Sequence, residues 1–113
     1  KSMFDGSKTE TEYSQQKKII QKGPITIDEE NFQVTLEGTQ LGLTVSEFKL
    51  LKVLVQNSGK VFTRSQLINI LNGEDYLVTE RTVDVRIVNI RKKLGKYQHY
   101  IKTIRSLGYK FDS

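Results

Sequence analysis

The sequence has 113 residues, which fits one compact domain and leaves no room for two. Cysteine is absent and His99 is the only histidine, so disulfides, cysteine-held zinc or iron–sulfur sites and two-histidine metal sites are excluded. The net charge is +5, and residues 81–110 hold nine basic residues and one acidic residue, which favours a polyanionic partner. No cofactor is expected, and we predict a cytoplasmic protein.

Residues 1–22 are dominated by Ser, Thr, Lys, Glu and Gln and show no apolar periodicity. This composition predicts a disordered tail, a linker or a remnant of an expression sequence. Residues 23–113 are predicted to form the folded domain.

Between residues 23 and 43, apolar and polar residues alternate in three runs separated by turn residues. A period of two predicts β-strands. Because no helical crossover separates the runs, we predict a small antiparallel sheet of three strands with one buried face. The apolar members are Ile25 and Ile27, then Phe32, Val34 and Leu36, then Leu41 and Leu43.

Two helices are predicted next, and each begins with a capping box. Thr44 and Glu47 begin the first helix, and Thr63 and Gln66 begin the second. Gly59 is suited to the left-handed conformation after the first helix. Apolar residues three and four apart give each helix a buried stripe, formed by Phe48, Leu51, Leu54 and Val55 in the first and by Leu67, Ile68 and Leu71 in the second.

A third helix is predicted over residues 79–94, ended by Gly95. Residues 100–104 and 109–111 are typical of strands, and residues 105–108 between them predict a hairpin with glycine in its turn. Three strands, three helices and a hairpin together predict an α+β domain.

The third predicted helix has two faces. With 100° per residue, Val83, Ile87, Ile90 and Leu94 form a stripe that faces the core. A second stripe, predicted to face solvent, has the residue types that recognise base edges in a major groove. A solvated polar face is the alternative that the pattern leaves open. The second stripe comprises Thr82, Arg86, Asn89 and Lys93, with Val85 at its edge.

Other basic residues extend this surface. Arg81 stands at the helix start, where backbone amides favour a phosphate, and Lys92 extends the basic flank. A hairpin tip that carries Arg105 can enter a minor groove. A short helix precedes the third through a loop, as in helix-turn-helix proteins. These features favour a nucleic-acid interface over a solvated polar face.

Five motifs follow one another in the chain: Leu43-Thr44-x-x-Glu47-Phe48-x-Leu50-Leu51, Gly59-Lys60-Val61-Phe62-Thr63-Arg64-x-x-Leu67, Arg81-Thr82-Val83-Asp84-Val85, Ile90-Arg91-Lys92-Lys93-Leu94 and Ile104-Arg105-Ser106-x-Gly108-Tyr109-Lys110-Phe111. In order and spacing this set closely resembles the winged-helix effector domain of OmpR/PhoB-family bacterial response regulators. The resemblance covers about residues 23–112.

The resemblance implies a winged helix-turn-helix with a four-stranded N-terminal antiparallel sheet, a three-helix bundle and a C-terminal β-hairpin wing. The implied function is sequence-specific DNA binding that controls transcription in a two-component system, with the third helix in the major groove and the wing in the minor groove. Asp84 is expected to pair with a neighbouring arginine. The implied contacts are Thr82, Val85, Arg86 and Asn89 to bases, Arg81, Thr82 and Tyr109 to phosphates, and Arg105 in the wing.

The resemblance also implies partners: a second copy on repeated half-sites, RNA polymerase, and a sensor kinase acting through a receiver domain. This sequence lacks the acidic cluster and βα repeat that a receiver domain needs. The family often has arginine where this chain has Val88 or Asn89, and glycine where it has Ser106. The loop expected to contact polymerase contains Asn72, Gly73, Glu74, Asp75 and Tyr76.

Three other function classes have weaker support. An enzyme is disfavoured because one histidine, no cysteine, and acidic residues placed mostly in turns and at helix starts offer little for catalysis. An RNA-binding domain is disfavoured because glycine-rich RNA motifs and aromatic sheet platforms are absent. The alternative kept open is a winged-helix protein-interaction domain with weak or no specific DNA binding, which the basic stripe of Arg86 and Lys93 argues against.

Overall fold

The computed structural model describes residues 19–71 and 78–113. Seven strands and three α-helices occur in these ranges, together with a 3₁₀ helix at Gly95–Tyr100. In chain order the elements are β1 (Ile19–Lys22), β2 (Ile25–Asp28), β3 (Gln33–Leu36), β4 (Thr39–Leu41), α1 (Val45–Gln56), β5 (Phe62–Thr63), α2 (Arg64–Ile70), α3 (Glu80–Leu94), β6 (Ile101–Ile104) and β7 (Gly108–Phe111).

The N-terminal sheet is antiparallel, as predicted, with the order β1-β2-β3-β4. It has four strands, because Ile19–Lys22 pairs with β2 and places Ile20 opposite Ile27. The boundary predicted at residue 23 is therefore corrected: these four residues belong to the sheet. Their two isoleucines are adjacent and show no alternation, so only pairing with β2 identifies the strand. Residues 1–18 of the predicted tail lie outside the described residues.

One face of this sheet is buried, and it packs against the helices. Ile25, Ile27 and Val34 are buried at alternating positions. Phe32, predicted to lie in a strand, instead occupies the β2–β3 turn with a φ of 52°. It is largely exposed, and its ring lies edge-on against Phe48 with a centroid separation of 5.3 Å.

The helices begin where the sequence predicts. Each predicted capping box forms: the Thr44 and Thr63 hydroxyls accept from the amides of Glu47 and Gln66. The predicted apolar stripes are buried except for Ile68, which is partly buried. Gly59 has the predicted positive φ, at 91°.

A second sheet brings the C-terminal hairpin against the helices. Its strand order is β5-β7-β6, and β5 pairs antiparallel with β7. A Cβ atom on Gly108 would collide with the backbone carbonyl of Phe62. The absence of a side chain at Gly108 therefore allows β5 and β7 to approach each other.

The hairpin turn differs from the prediction that glycine occupies it. The Leu107 amide donates to the Ile104 carbonyl at 2.9 Å and closes a four-residue turn. The positive φ in this turn falls on Ser106, at 66°, and Gly108 is already in β7. The backbone of Ser106 thus adopts a conformation that costs an L-residue about 1–2 kcal/mol.

Candidate nucleic-acid interface

The surface of α3 is organised by its buried stripe. Val83, Ile87, Ile90 and Leu94 are all buried, as predicted. The residues opposite this stripe are exposed and again follow spacings of four, three and four. They are Arg81, Val85, Val88 and Lys92.

The stripe predicted to face solvent lies beside this exposed centre. Thr82, Arg86, Asn89 and Lys93 are each partly buried. The helix wheel places these four residues on the polar side of α3. It describes α3 alone and takes no account of α1, which packs against one flank of α3. The exposed centre is therefore displaced toward Val85 and Val88.

Lys93 makes contacts within the domain. Its ammonium group lies 2.6 Å from a Glu47 carboxylate oxygen and 2.6 Å from the Gly42 carbonyl. Glu47 is only 2% exposed. Burial alone would raise the pKa of Glu47, but the hydrogen bonds from Lys93 and the Thr44 amide outweigh it and hold that pKa below its usual range. Lys93 thus differs from the other predicted groove residues, because its charge neutralises a buried carboxylate.

A second polar cluster joins α3 to α2 and the hairpin. An Asp84 carboxylate oxygen accepts from Arg64 Nε at 2.9 Å and from the Tyr109 hydroxyl at 2.6 Å. This confirms the expected pairing of Asp84 with an arginine. Desolvation would raise the pKa of Asp84, but these two donors lower it overall.

Tyr109, predicted to contact phosphate, is only 5% exposed. Burial and its hydrogen bond to Asp84 raise the pKa of its hydroxyl. The guanidinium groups of Arg64 and Arg91 lie 5.7 and 5.6 Å from its ring centroid. Tyr109 therefore connects β7 to α3 from the interior.

Arg91 anchors the hairpin to α3. Its guanidinium group donates to the Ile101 carbonyl at 3.1 and 2.7 Å and to the Thr103 hydroxyl at 2.8 Å. Arg91 thereby determines the orientation of β6 relative to α3. The sequence pattern does not identify this function of Arg91.

The hairpin tip is exposed and basic. Arg105, Ser106 and Leu107 are all exposed. Lys102 and Lys110, by contrast, make local contacts, with the His99 carbonyl at 3.0 Å and with Asp112 at 3.9 Å. In the described part of the chain, no hydrogen bond or ion pair engages the side chains of Arg81, Lys92 or Arg105.

The start of α3 is capped by threonines. The Thr79 hydroxyl accepts from the Thr82 amide at 3.3 Å, and the Thr82 hydroxyl accepts from the Thr79 amide at 3.2 Å. Thr82, a predicted base and phosphate contact, is therefore also part of a capping box. This cap positions Arg81 at the positive end of the helix dipole, where an anion is favoured.

Some predicted site residues lie outside the described residues, and some exposed residues were not among the predicted DNA contacts. The loop residues Asn72, Gly73, Glu74, Asp75 and Tyr76 lie outside the described residues. Val88 was not predicted as a contact, although its position on the helix wheel beside Val85 and Lys92 was a usable signal. The contact of Glu47 with Lys93, and the identity of Arg64 as the partner of Asp84, depend on tertiary packing and had no sequence signal.

Residues 19–71 and 78–113 contain neither a metal-binding cluster nor a membrane-spanning helix. No cluster of three or more His, Asp or Glu side chains suited to a metal ion occurs there. No helix in these ranges has the length and apolar character needed to cross a bilayer.

Comparison with known proteins identifies several relatives. The family described as transcriptional regulatory protein, C terminal, matches residues 38–111. The transcriptional regulatory protein BaeR of Escherichia coli is 41% identical over an aligned length of 95 residues, and the match covers 81% of this chain and 40% of BaeR. The chain spans between 40% and 50% of the length of the curated relatives it matches.

Solved structures agree with these sequence relatives. Response regulator DrrB of Thermotoga maritima, an OmpR/PhoB homologue, has a TM-score of 0.75 and 35% identity, covering 89% of this chain and 47% of DrrB. The DNA-binding domain of RstA from Klebsiella pneumoniae, in complex with the RstA box, has a TM-score of 0.72 and 38% identity. That match covers 84% of this chain and 97% of the RstA domain.

Proposed function

The chain belongs to the family of C-terminal DNA-binding domains of OmpR/PhoB-type transcriptional regulatory proteins, and from this premise we propose that it binds double-stranded DNA sequence-specifically to control transcription. The main support is the exposed face of α3, where Arg81 and Lys92 have no partner in the described part of the chain. Cationic side chains without protein partners are suited to phosphates, which dominate DNA affinity.

In this proposal α3 lies in the major groove, which is about 12 Å wide and admits a helix. Val85, Arg86 and Asn89 contact base edges, and Arg81, Thr82 and Lys92 contact phosphates. Phosphate contacts position the helix, and base contacts provide sequence choice. Lys93 and Tyr109 support this surface from within the domain through Glu47 and Asp84.

The hairpin acts as the wing, and its exposed Arg105 enters the adjacent minor groove. Arginine is favoured where that groove is narrow, because its negative potential is then enhanced. Through Tyr109 and Arg91, the position of the wing is coupled to that of α3.

The proposal extends to the whole protein in four respects. Two copies bind side by side on repeated half-sites, and the loop that includes Asn72–Tyr76 contacts RNA polymerase. A sensor kinase acts through a receiver domain, and the protein works in the cytoplasm. The relatives support these parts by being transcriptional and sensory-transduction proteins.

The first experiment passes the 113-residue chain over a random duplex DNA library at physiological salt and sequences the retained fraction. Enrichment of a short repeated half-site is expected and would give the spacing of the two copies. Retention without enrichment would contradict sequence-specific binding. No retention even at low salt would overturn DNA binding and favour a protein-interaction domain.

A charge-matched pair of variants tests the surface itself. Lys92→Ala is expected to make the slope of log affinity against log salt shallower by about 0.9, the value for one phosphate contact. Lys60→Ala is the control, because Lys60 is an exposed lysine between α1 and β5, outside α3 and the hairpin turn. Equal effects of both variants would show that affinity reflects net charge and not the α3 face.

A further inference from the structure

Two valines lie at the centre of the exposed face of α3. Val85 and Val88 are 44% and 46% exposed, whereas Val83, Ile87 and Ile90 on the same helix are buried. Arg81 precedes the two valines on the same stripe and Lys92 follows them. An apolar patch therefore lies between two cations.

Helix stability does not account for these valines. Valine is a weaker helix former than lysine, arginine or glutamine, so an exposed valine is unfavourable for an isolated helix. Its branched side chain, however, is nearly restricted to one rotamer in a helix. The pair therefore forms a rigid apolar surface that loses little entropy when it is covered.

We infer that Val85 and Val88 form a reader of pyrimidine C5-methyl groups, so that the recognised half-site carries two thymines whose methyl groups contact this patch. The inference rests on the proposed function and specifies its DNA target more closely. In the major groove the C5-methyl group of thymine is the apolar feature of the base edges. The cations on both sides of the patch direct it toward a polyanion rather than toward an apolar protein surface.

The spacing of the patch agrees with DNA. Side chains three residues apart on a helix have Cβ atoms about 5–6 Å apart. Successive bases of one strand are separated by about 3.4 Å along the axis. The two valines therefore reach methyl groups on base pairs one or two steps apart. Arg81 and Lys92 are about 16 Å apart along the helix and are placed to contact phosphates on either side.

The test uses the duplex selected by the 113-residue chain, with each thymine replaced in turn by uracil. This change removes one methyl group and leaves every hydrogen-bonding atom in place. Affinity is expected to fall about fourfold at each of two thymines in a half-site, the value for burying one methyl group, and to be unchanged at the other thymines.

Variants assign each methyl group to its valine. Val88→Ala is expected to weaken binding to the thymine duplex and to abolish the uracil effect at one of the two positions. Val85→Ala should do the same at the other position. Val45→Ala is the matched control, because Val45 is an exposed valine at the start of α1 and should leave the uracil effects intact.

The outcomes separate this inference from the function on which it rests. Tight, sequence-specific binding without any uracil effect would overturn the methyl reader and leave DNA binding established. Uracil effects that persist in both valine variants would overturn it as well. Absence of binding to any duplex would reject both proposals together.

Discussion

Lys92 and Lys93 are adjacent in the sequence and lie in opposite environments. Lys92 is exposed, and no partner occurs among the described residues. Lys93 lies 2.6 Å from Glu47, a carboxylate almost fully removed from solvent. One lysine is thus available to a ligand, and the other neutralises an interior charge.

Lys93→Met is expected to destabilise the domain by about 2 kcal/mol, because Glu47 remains buried without its ammonium partner. Lys92→Met, which makes the same chemical change one residue away, should alter stability by less than about 0.5 kcal/mol. Urea denaturation of both variants at pH 7 measures the difference. Similar stabilities of the two variants would contradict the assigned role of Lys93.

Ser106 holds a positive φ of 66° in the hairpin turn. Ser106→Gly is expected to stabilise the domain by about 0.5 kcal/mol, since relief of strain exceeds the added entropy of the unfolded chain. Ser106→Ala retains the Cβ atom and should give no gain. Thermal unfolding distinguishes the two, and a gain from alanine as large as that from glycine would show that the turn is unstrained.

At the scale of elements, the position of the hairpin relative to α3 depends on a few side chains that connect them. Asp84 accepts from Arg64 at the start of α2 and from Tyr109 of β7. Arg91 of α3 reaches the Ile101 carbonyl at the start of β6. These contacts hold the two proposed DNA-binding elements in one geometry.

Tyr109→Phe removes only the hydroxyl and is expected to cost about 1–2 kcal/mol, because a buried hydrogen bond to a carboxylate is lost. Tyr97→Phe is the matched control: its hydroxyl lies 2.6 Å from Glu37, whose side chain is half exposed. Water replaces that bond, so the expected cost is below about 0.5 kcal/mol. Chemical denaturation measures both, and equal costs would show that burial of Tyr109 does not matter.

At the scale of the whole molecule, charge couples stability to pH. The pKa values of Glu47 and Asp84 are both held below their ordinary values of 4.5 and 3.8. A carboxyl whose pKa is lowered on folding stabilises the protein fully above its unfolded pKa. That stabilisation is lost as the pH falls through the lower, folded pKa.

Stability is therefore expected to be constant from pH 7 to about 5 and to decrease steadily below that range. Urea midpoints measured between pH 7 and pH 3 test this expectation. Asp84→Asn should lower stability at pH 7 and reduce the loss at acid pH, because one of the carboxyls with a lowered pKa is removed. An unchanged urea midpoint down to pH 3 would contradict the assigned ion pairs.

Local sequence was sufficient to predict the helices, the hairpin and most of the core. Capping boxes at Thr44 and Thr63 depend on residues only three apart, and buried stripes depend on helical periodicity. The basic character of α3 is likewise a local property, and the order of the motifs indicated the family. The residue pattern did not predict β1 and β5, which are identified only by their pairing with β2 and β7.

How the flank of α3 that carries Arg86, Asn89 and Lys93 packs was decided only by tertiary structure. A helix wheel ranks Arg86, Asn89 and Lys93 together, but the packing of α1 against one flank partly buries them and ties Lys93 to Glu47. The same packing leaves Val85 and Val88 at the exposed centre. Periodicity defines the buried side of a helix, whereas the contacts of its flanks depend on neighbours that are distant in sequence.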